Sequence, residues 1–292
     1  MSRPTLRSAL EAERPLVTPL AHDALSARLI EQAGFRAFSV GGSALLASRY
    51  AFPDIGLIGL ADMVDGLRDL AAASALPFMA DADDGYGDVK SVARTVWAYE
   101  AIGVGGLLIE DQDRDRKQQR ADKAAAVVDE AVIEHKLRTA LAVRRSPETL
   151  IIGRTDGYGA LGLDAALRRA ERFLALGVDA IFVAGLRTEE DYARVGRTLQ
   201  GAILSAAMFE GGDTPWLTPA VLGEMGFRHV SFPTTLMFRI VEVQAEALAR
   251  LRAHATGEGA LARLGPDSQA RERLDRAVDL ATWRGIEAVQ GR

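Results

Sequence analysis

Short apolar runs alternate with helix-patterned segments along most of this chain, and that alternation constrains the fold more than any other feature. The runs are "PLVTP" (15–19), "AFSVGG" (37–42), "PFMAD" (77–81), "GGLLIED" (105–111), "TLIIGRT" (149–155), "AIFVAG" (180–185), "AILSAA" (202–207) and "HVSFP" (229–233). They are apolar without polar–apolar alternation, which suits strands buried on both faces. The segments after them, 23–34, 60–75, 88–103, 129–144, 163–177, 188–199, 218–226 and 236–254, carry helical spacing. Several start at a capping Asp or Thr and several stop at a Gly. Repeated βα units require parallel strands with right-handed crossovers. Eight of them predict an α/β chain folded as a (β/α)8 barrel. An open doubly wound sheet is the alternative, but no Gly-x-Gly-x-x-Gly follows the first strand, and "GVGG" (103–106) precedes a strand. The expected division is a barrel over 1–256 and a helical extension over 257–292. The latter holds one helix in "DSQARERLDRAVDLATW" (267–283), packed beneath the barrel or on a partner subunit.

Composition excludes several functions. With 48% hydrophobic and 26% charged residues, the chain has ample apolar material for a barrel core. A net charge of -5 without a basic run argues against nucleic acid. The absence of cysteine excludes disulfides, thiolate metal sites and a cysteine nucleophile. Residues 1–17 lack a signal-like apolar core, and no apolar run reaches membrane-spanning length. The expectation is a soluble cytoplasmic protein with no membrane partner.

Barrel active sites lie at the C-terminal ends of the strands. In chain order those ends carry Gly41-Gly42-Ser43, then Asp81 and Asp83, Glu110-Asp111, Arg154-Thr155-Asp156, Ala184-Gly185, Glu210-Gly211-Gly212 and Pro233. Carboxylates converging on one mouth repel one another unless a cation neutralises them. Oxygen donors without His or Cys suit a hard divalent ion, Mg2+ or alternatively Mn2+, on Asp81, Asp83 and Glu110. Gly41, Gly42 and Ser43 offer N–H groups and a hydroxyl to a substrate carboxylate, or simply make a tight turn. Arg154 brings a permanent charge with fork geometry. Asp84 and Asp88 read as a loop residue and a helix cap. His22 faces the mouth or caps a loop, while His135, His229 and His254 read as structural. Tyr86 and Tyr158 flank the mouth, either closing over substrate or packing, and Trp97 reads as packing.

Several of these segments match a known family. "DADDGYGD" (81–88) resembles the Asp-x-Asp-x-Gly-Tyr-Gly segment of the isocitrate lyase/phosphoenolpyruvate mutase superfamily. "LLIEDQ" (107–112), "IIGRTDGYGALGLDAALRRAERFLALGVDAI" (151–181), "GGSALLASRYAFPDIGL" (41–57) and "FEGGDTPWLTPAVLGEMGF" (209–227) are similar to its other blocks, in order. The resemblance implies a Mg2+-dependent barrel that stabilises an enolate or related oxyanion of a 2-oxo acid. It implies Asp81 and Asp83 as metal carboxylates, with Glu110 acting directly or through water. Asp54 would lie near metal and substrate, Gly42 and Ser43 would hold the substrate carboxylate, and Arg154 its oxygens. Gly41, Asp83, Glu210 and Gly212 join the expected substrate contacts. It further implies homotetramers of dimers that exchange the helix 236–254.

The departures bear on chemistry. In "DRDRKQQRADK" (113–123), Gln118 and Arg120 stand where the lyases that cleave isocitrate or methylisocitrate carry Cys and His. Ser39 and Gly41 replace a Tyr and a Ser. "VAGLR" (183–187) replaces a Glu, and Ala206 or Ala207 an Asn. Without that thiol, methylisocitrate cleavage is disfavoured. The expectation is a carbon–carbon lyase on a small 2-oxo or 2-hydroxy di- or tricarboxylate, through oxaloacetate decarboxylation or cleavage of a substituted malate. Any base would come from the loop, Glu210 or a carboxylate near the metal. Arg114, Arg116, Lys117 and Arg120 would attract a second substrate carboxylate, or form a solvated loop. The alternatives are a phosphonopyruvate mutase or hydrolase, and a catalytically silent metabolite-binding barrel.

Overall fold

A computed structural model describes residues 4–117, 126–212, 214–265 and 268–290. Gln118 and Arg120 lie outside the described residues. The strands are β1 (Leu16–Pro19), β2 (Phe38–Val40), β3 (Phe78–Asp81), β4 (Gly106–Glu110), β5 (Leu150–Thr155), β6 (Ala180–Val183), β7 (Ile203–Ala207) and β8 (Phe227–Phe232). The helices before β5 are α1 (Leu6–Ala12), α2 (Ala24–Gln32), α3 (Gly42–Tyr50), α4 (Leu60–Ala73), α5 (Val89–Ile102) and α6 (Glu130–Val143). Those after it are α7 (Gly157–Leu161), α8 (Leu163–Leu176), α9 (Glu189–Thr198), α10 (Pro219–Glu224), α11 (Thr235–Thr256), α12 (Gln269–Ala277) and α13 (Leu280–Gln290).

All strand pairs are parallel, in the order β1-β8-β7-β6-β5-β4-β3-β2. A single bridge from Leu20 to Ser39 joins β1 to β2 and closes the ring. The expected (β/α)8 barrel is the fold. Its interior is tiered. At the N-terminal end, Leu6, Ala9 and Leu10 of α1 pack against Leu16, Met79, Leu150, Ile152 and Ala180. Above them runs a buried polar band, in which Thr18 Oγ1 lies 2.7 Å from Ser39 Oγ and 2.8 Å from His229 Nε2, while Ser205 Oγ lies 2.6 Å from His229 Nδ1. The carboxylates and Arg154 form the top. His229 is structural, as expected. Outside the ring, Phe173 of α8 fits against Gly153, where a Cβ would come within 3.0 Å of its Cδ2.

Three short helices, α1, α3 and α7, were not expected from the sequence. Thr5 and Ser8 form a capping box that starts α1, and the Gly41-Gly42 pair opens a helix. The single helix expected over 267–283 is instead α12 and α13, separated where Asp279 takes φ +53. Asp88 caps α5 by accepting from the backbone N–H groups of Lys90 and Ser91. Trp97 is half-exposed, donating to the Val143 carbonyl at 3.0 Å beneath the Arg145 guanidinium.

The chain divides into two compact units, Met1–Thr235 and Leu236–Arg292. In the second unit α12 packs on α13. Among the described residues no helix is long and apolar enough to cross a membrane.

Candidate active site

The site begins where β3 runs out. Asp81 ends the strand, and the next residues turn sharply: Asp83 takes φ +44, Gly85 φ +84 and Tyr86 φ +60. Asp tolerates the left-handed region better than most residues. Gly85 is required twice over, because a Cβ there would stand 2.4 Å from Val92 Cγ2. The turn is tied down on both sides. Asp83 N–H donates to Asp81 Oδ1 at 3.0 Å, and the Asp83 carbonyl accepts from Glu110 N–H at 2.8 Å. Tyr99 Oη donates to the Asp81 carbonyl at 2.8 Å. Asp84 turns away to Lys136, whose Nζ lies 2.8 Å from Oδ2 and 2.9 Å from the Asp84 carbonyl. It is the loop residue expected.

The turn gathers Asp81, Asp83 and Glu110, each offering an oxygen within 4.8 Å of the others. Burial, then Glu110, raises the Asp81 carboxyl to about 6. Burial, then Asp81 and Glu110, raises Asp83 to about 7. These acids are crowded and incompletely neutralised.

Among the described residues, three cations face them. Arg154, at the top of β5, clamps Asp156 through Nε–Oδ2 (2.9 Å) and Nη2–Oδ1 (2.8 Å), which leaves Nη1 2.9 Å from Glu110 Oε2. Asp156 is held in turn by Asp111, whose Oδ1 accepts its backbone N–H at 2.8 Å. Asp111 Oδ2 accepts from Thr155 Oγ1 at 2.7 Å and Arg169 Nη1 at 3.0 Å. Lys117 Nζ lies 2.6 Å from Asp83 Oδ1, 3.3 Å from Glu110 Oε1 and 3.2 Å from Asp54 Oδ1. Arg114 reaches Asp83 Oδ2 at 3.4 Å and Asp84 Oδ1 at 3.5 Å, and donates to the carbonyls of Gly56 and Ile58.

The structure brings Asp54, Asp81, Asp83, Glu110 and Arg154 together. Gly41 caps α3, with Gly42 and Ser43 as its first residues, so that helix opens at the C-terminal end of β2. Glu210 and Gly212 lie in the loop after β7. The Glu210 backbone exchanges hydrogen bonds with Thr234 Oγ1 at 2.9 and 3.3 Å. Three groups that the sequence left open between two readings take definite places. Arg114 and Lys117 turn onto the protein's own carboxylates, the strongest anions within reach, and Arg116 pairs with Asp113 at 2.6 Å. His22 does not face the mouth: it lines a cavity of about 560 Å³ beside Leu45, Arg49, Asp69 and Leu70. Tyr158 leaves the mouth for Asp191, donating to Oδ2 at 2.8 Å. From the sequence, Asp156 is placed at its strand end without a role, and Arg169 reads as part of a solvated charged helix face, whereas it is buried on Asp111. The Arg-Thr-Asp triplet held a signal for the first, but Arg169 stands inside a helix of alternating charges.

The donor set suits a divalent cation. All three carboxylates are oxygen donors, as a hard ion requires. Glu110 Oε2 and Asp54 Oδ1 are buried and accept no aligned hydrogen bond, although Arg154 Nη1 and Lys117 Nζ stand 2.9 and 3.2 Å away. Such oxygens retain lone pairs for a ligand.

The model for the phosphoenolpyruvate phosphomutase family matches residues 6–252. A probable 2-methylisocitrate lyase 1 of Corynebacterium glutamicum is 38% identical over 93% of this chain and 88% of its own length. The 2,3-dimethylmalate lyase of Eubacterium barkeri is 32% identical over 88% of each. The structure of oxaloacetate acetylhydrolase with 3,3-difluorooxalacetate superposes with a TM-score of 0.89 at 28% identity, covering 98% of this chain and 96% of that one. A family match spanning the whole barrel, joined to relatives of this identity over nearly their full length, establishes that the chain belongs to the isocitrate lyase/phosphoenolpyruvate mutase superfamily of enzymes.

Proposed function

We propose that this carbon–carbon lyase depends on Mg2+, or Mn2+ in its place, and acts on a small 2-oxo or 2-hydroxy di- or tricarboxylate. The observation that carries the reading is the convergence of Asp81, Asp83 and Glu110 with Arg154 at one mouth. Asp81, Asp83 and Glu110 would hold the ion, which supplies Lewis acidity toward a 2-oxo group and its adjacent carboxylate. Arg154 adds a fixed cation where negative charge develops on that oxygen. The backbone N–H groups at the start of α3, with Ser43, would orient the C1 carboxylate. Asp54 lies beside the same acids and would contact substrate. Glu210 and Gly212, after β7, would close the far side.

In decarboxylation of oxaloacetate the bond to the distal carboxylate breaks, CO2 leaves, and the electron pair remains as the enolate of pyruvate, which water protonates. Cleavage of a substituted malate also needs a base for the hydroxyl proton. Asp54 and Glu210 are the described candidates. The name of the matching family favours one alternative, phosphonopyruvate chemistry in the same cradle. We further propose assembly as a homo-oligomer. α11 has no buried residue, and Phe238, Val241, Val243, Leu248 and Leu251 are exposed, an apolar face suited to a second copy.

The test is a substrate panel with Mg2+: oxaloacetate, methylisocitrate, 2,3-dimethylmalate and phosphonopyruvate. Release of CO2 or a 2-oxo acid that EDTA abolishes supports the lyase. Turnover of phosphonopyruvate alone selects the alternative. Failure with every substrate, with or without EDTA, selects the silent barrel.

A further inference from the structure

The acid cluster already carries a cation of its own. The Lys117 side chain is only 7% exposed, and its ammonium touches Asp83 Oδ1, Glu110 Oε1 and Asp54 Oδ1. An ammonium has three N–H donors and no acceptor. This one donates to Asp83 Oδ1 and Glu110 Oε1, with Asp54 Oδ1 an ion-pair partner at 3.2 Å. Both hydrogen-bond acceptors, Asp83 and Glu110, belong to the trio that would hold a divalent ion.

The lysine is also firmly presented. It follows a 3-10 turn over Arg114–Arg116, closed by Arg116 N–H to the Asp113 carbonyl at 3.0 Å and Lys117 N–H to the Arg114 carbonyl at 3.2 Å. The Asp113 side chain caps that turn, accepting from Asp115 N–H at 3.1 Å. Arg114 pins it to the chain beyond α3 through the carbonyls of Gly56 and Ile58, with its guanidinium 5.6 Å from the Tyr86 ring centre. An ammonium and a divalent ion held by the same carboxylates repel each other at short range, so each weakens the other's hold on Asp83 and Glu110.

We propose that Lys117 is a built-in competitor for the divalent cation, occupying the oxygens of Asp83 and Glu110 until an ion displaces it. This rests on the metal-site reading above. The ion must remove a buried salt bridge as it enters, so its affinity for the protein alone is reduced. A dicarboxylate that brings further oxygen ligands to the ion, and an anionic partner for the displaced ammonium, raises that affinity. Ion and substrate therefore load with positive coupling.

The experiment is direct titration with Mn2+, followed by electron paramagnetic resonance, for the full chain and for Lys117→Gln and Asp83→Asn, each with and without oxalate. In parallel, acylation of Lys117 by acetic anhydride is followed by mass spectrometry as Mn2+ is added. Lys117→Gln should bind Mn2+ about tenfold more tightly than the parent and lose most of the tightening by oxalate, on the scale of an ordinary coupling between ligands. Lys117 of the parent should be acylated faster once Mn2+ is bound, which separates true displacement from the removal of a nearby positive charge. An unchanged or weaker Mn2+ affinity in Lys117→Gln, or a Lys117 that stays protected with Mn2+ bound, overturns the proposal and leaves the metal site standing. Mn2+ binding that is absent, or indifferent to Asp83→Asn, overturns the metal-site reading and the competitor with it.

Discussion

Arg154 grips Asp156 at two points, 2.9 and 2.8 Å, and that grip aims its remaining nitrogen at Glu110. Both residues leave β5 within three positions, so the fork is set by one strand end. Asp156→Asn keeps the shape but removes the charge that makes the fork rigid. Turnover should fall about 100-fold, the scale of losing one aimed donor at a developing charge. Steady-state kinetics on whichever panel substrate reacts, with circular dichroism as the fold control, checks this.

Asp83 is shared between the cation cluster and the β3–β4 junction. Its backbone carbonyl makes the junction and its side chain serves the cluster. Asp83→Asn should therefore abolish measurable activity while leaving the far-ultraviolet spectrum and thermal midpoint close to those of the parent. Full activity in this variant would refute the metal assignment.

His229 sits wholly inside the barrel, and burial lowers its imidazole from 6.5 to about 4. It is neutral in the fold over a range where the unfolded chain takes up a proton. At this group the unfolded state then binds more protons, so its contribution to stability is complete above about pH 6.5 and declines as the pH falls toward 4. At 1.36 kcal/mol per pH unit, this group alone contributes about 3 kcal/mol to that slope. The raised carboxyls of Asp81 and Asp83 act in the opposite sense in both proteins, so the readout is the difference: urea unfolding at pH 7.5, 6, 5 and 4.5 should show the parent losing stability relative to His229→Asn as the pH falls. An equal slope in the variant assigns it elsewhere.

Gly196 of α9 lies against the chain leaving α10. A Cβ built there would stand 1.7 Å from the Met225 carbonyl oxygen, a backbone atom that no rotamer change can move. Gly196→Ala should cost about 3 kcal/mol through overpacking. Chemical denaturation measures it, and a cost below 1 kcal/mol would show that the backbone yields there more easily than packed interiors do.

What was legible in the sequence follows from what periodicity records. Unbroken apolar runs marked the strands because both of their faces are buried, and strand ends marked the mouth because parallel strands share a direction. Asp81, Asp83, Glu110 and Arg154 were found for that reason. Lys117 and Arg114 read as basic residues that attract substrate or sit in a solvated loop, since a flexible side chain's direction depends on which anion it meets in space. The pairing of Asp111 with Arg169 spans 58 positions and two elements, and no local pattern encodes it. Nor does any pattern show that Thr18, Ser39, Ser205 and His229, from four strands, form one band. α1 is seven residues long, too short for periodicity to stand out, and its role appears only when Leu6 and Leu10 meet the strand starts.

That last contact has a consequence for traffic. With α1 seated across the N-terminal end of the strands, the described residues give the barrel a floor at that end. On the proposed reading, a reactant would enter past the carboxylates and its fragments would leave by the same route. If one molecule is split in two there, the piece nearer the opening would depart first, and the piece held beneath it would wait its turn.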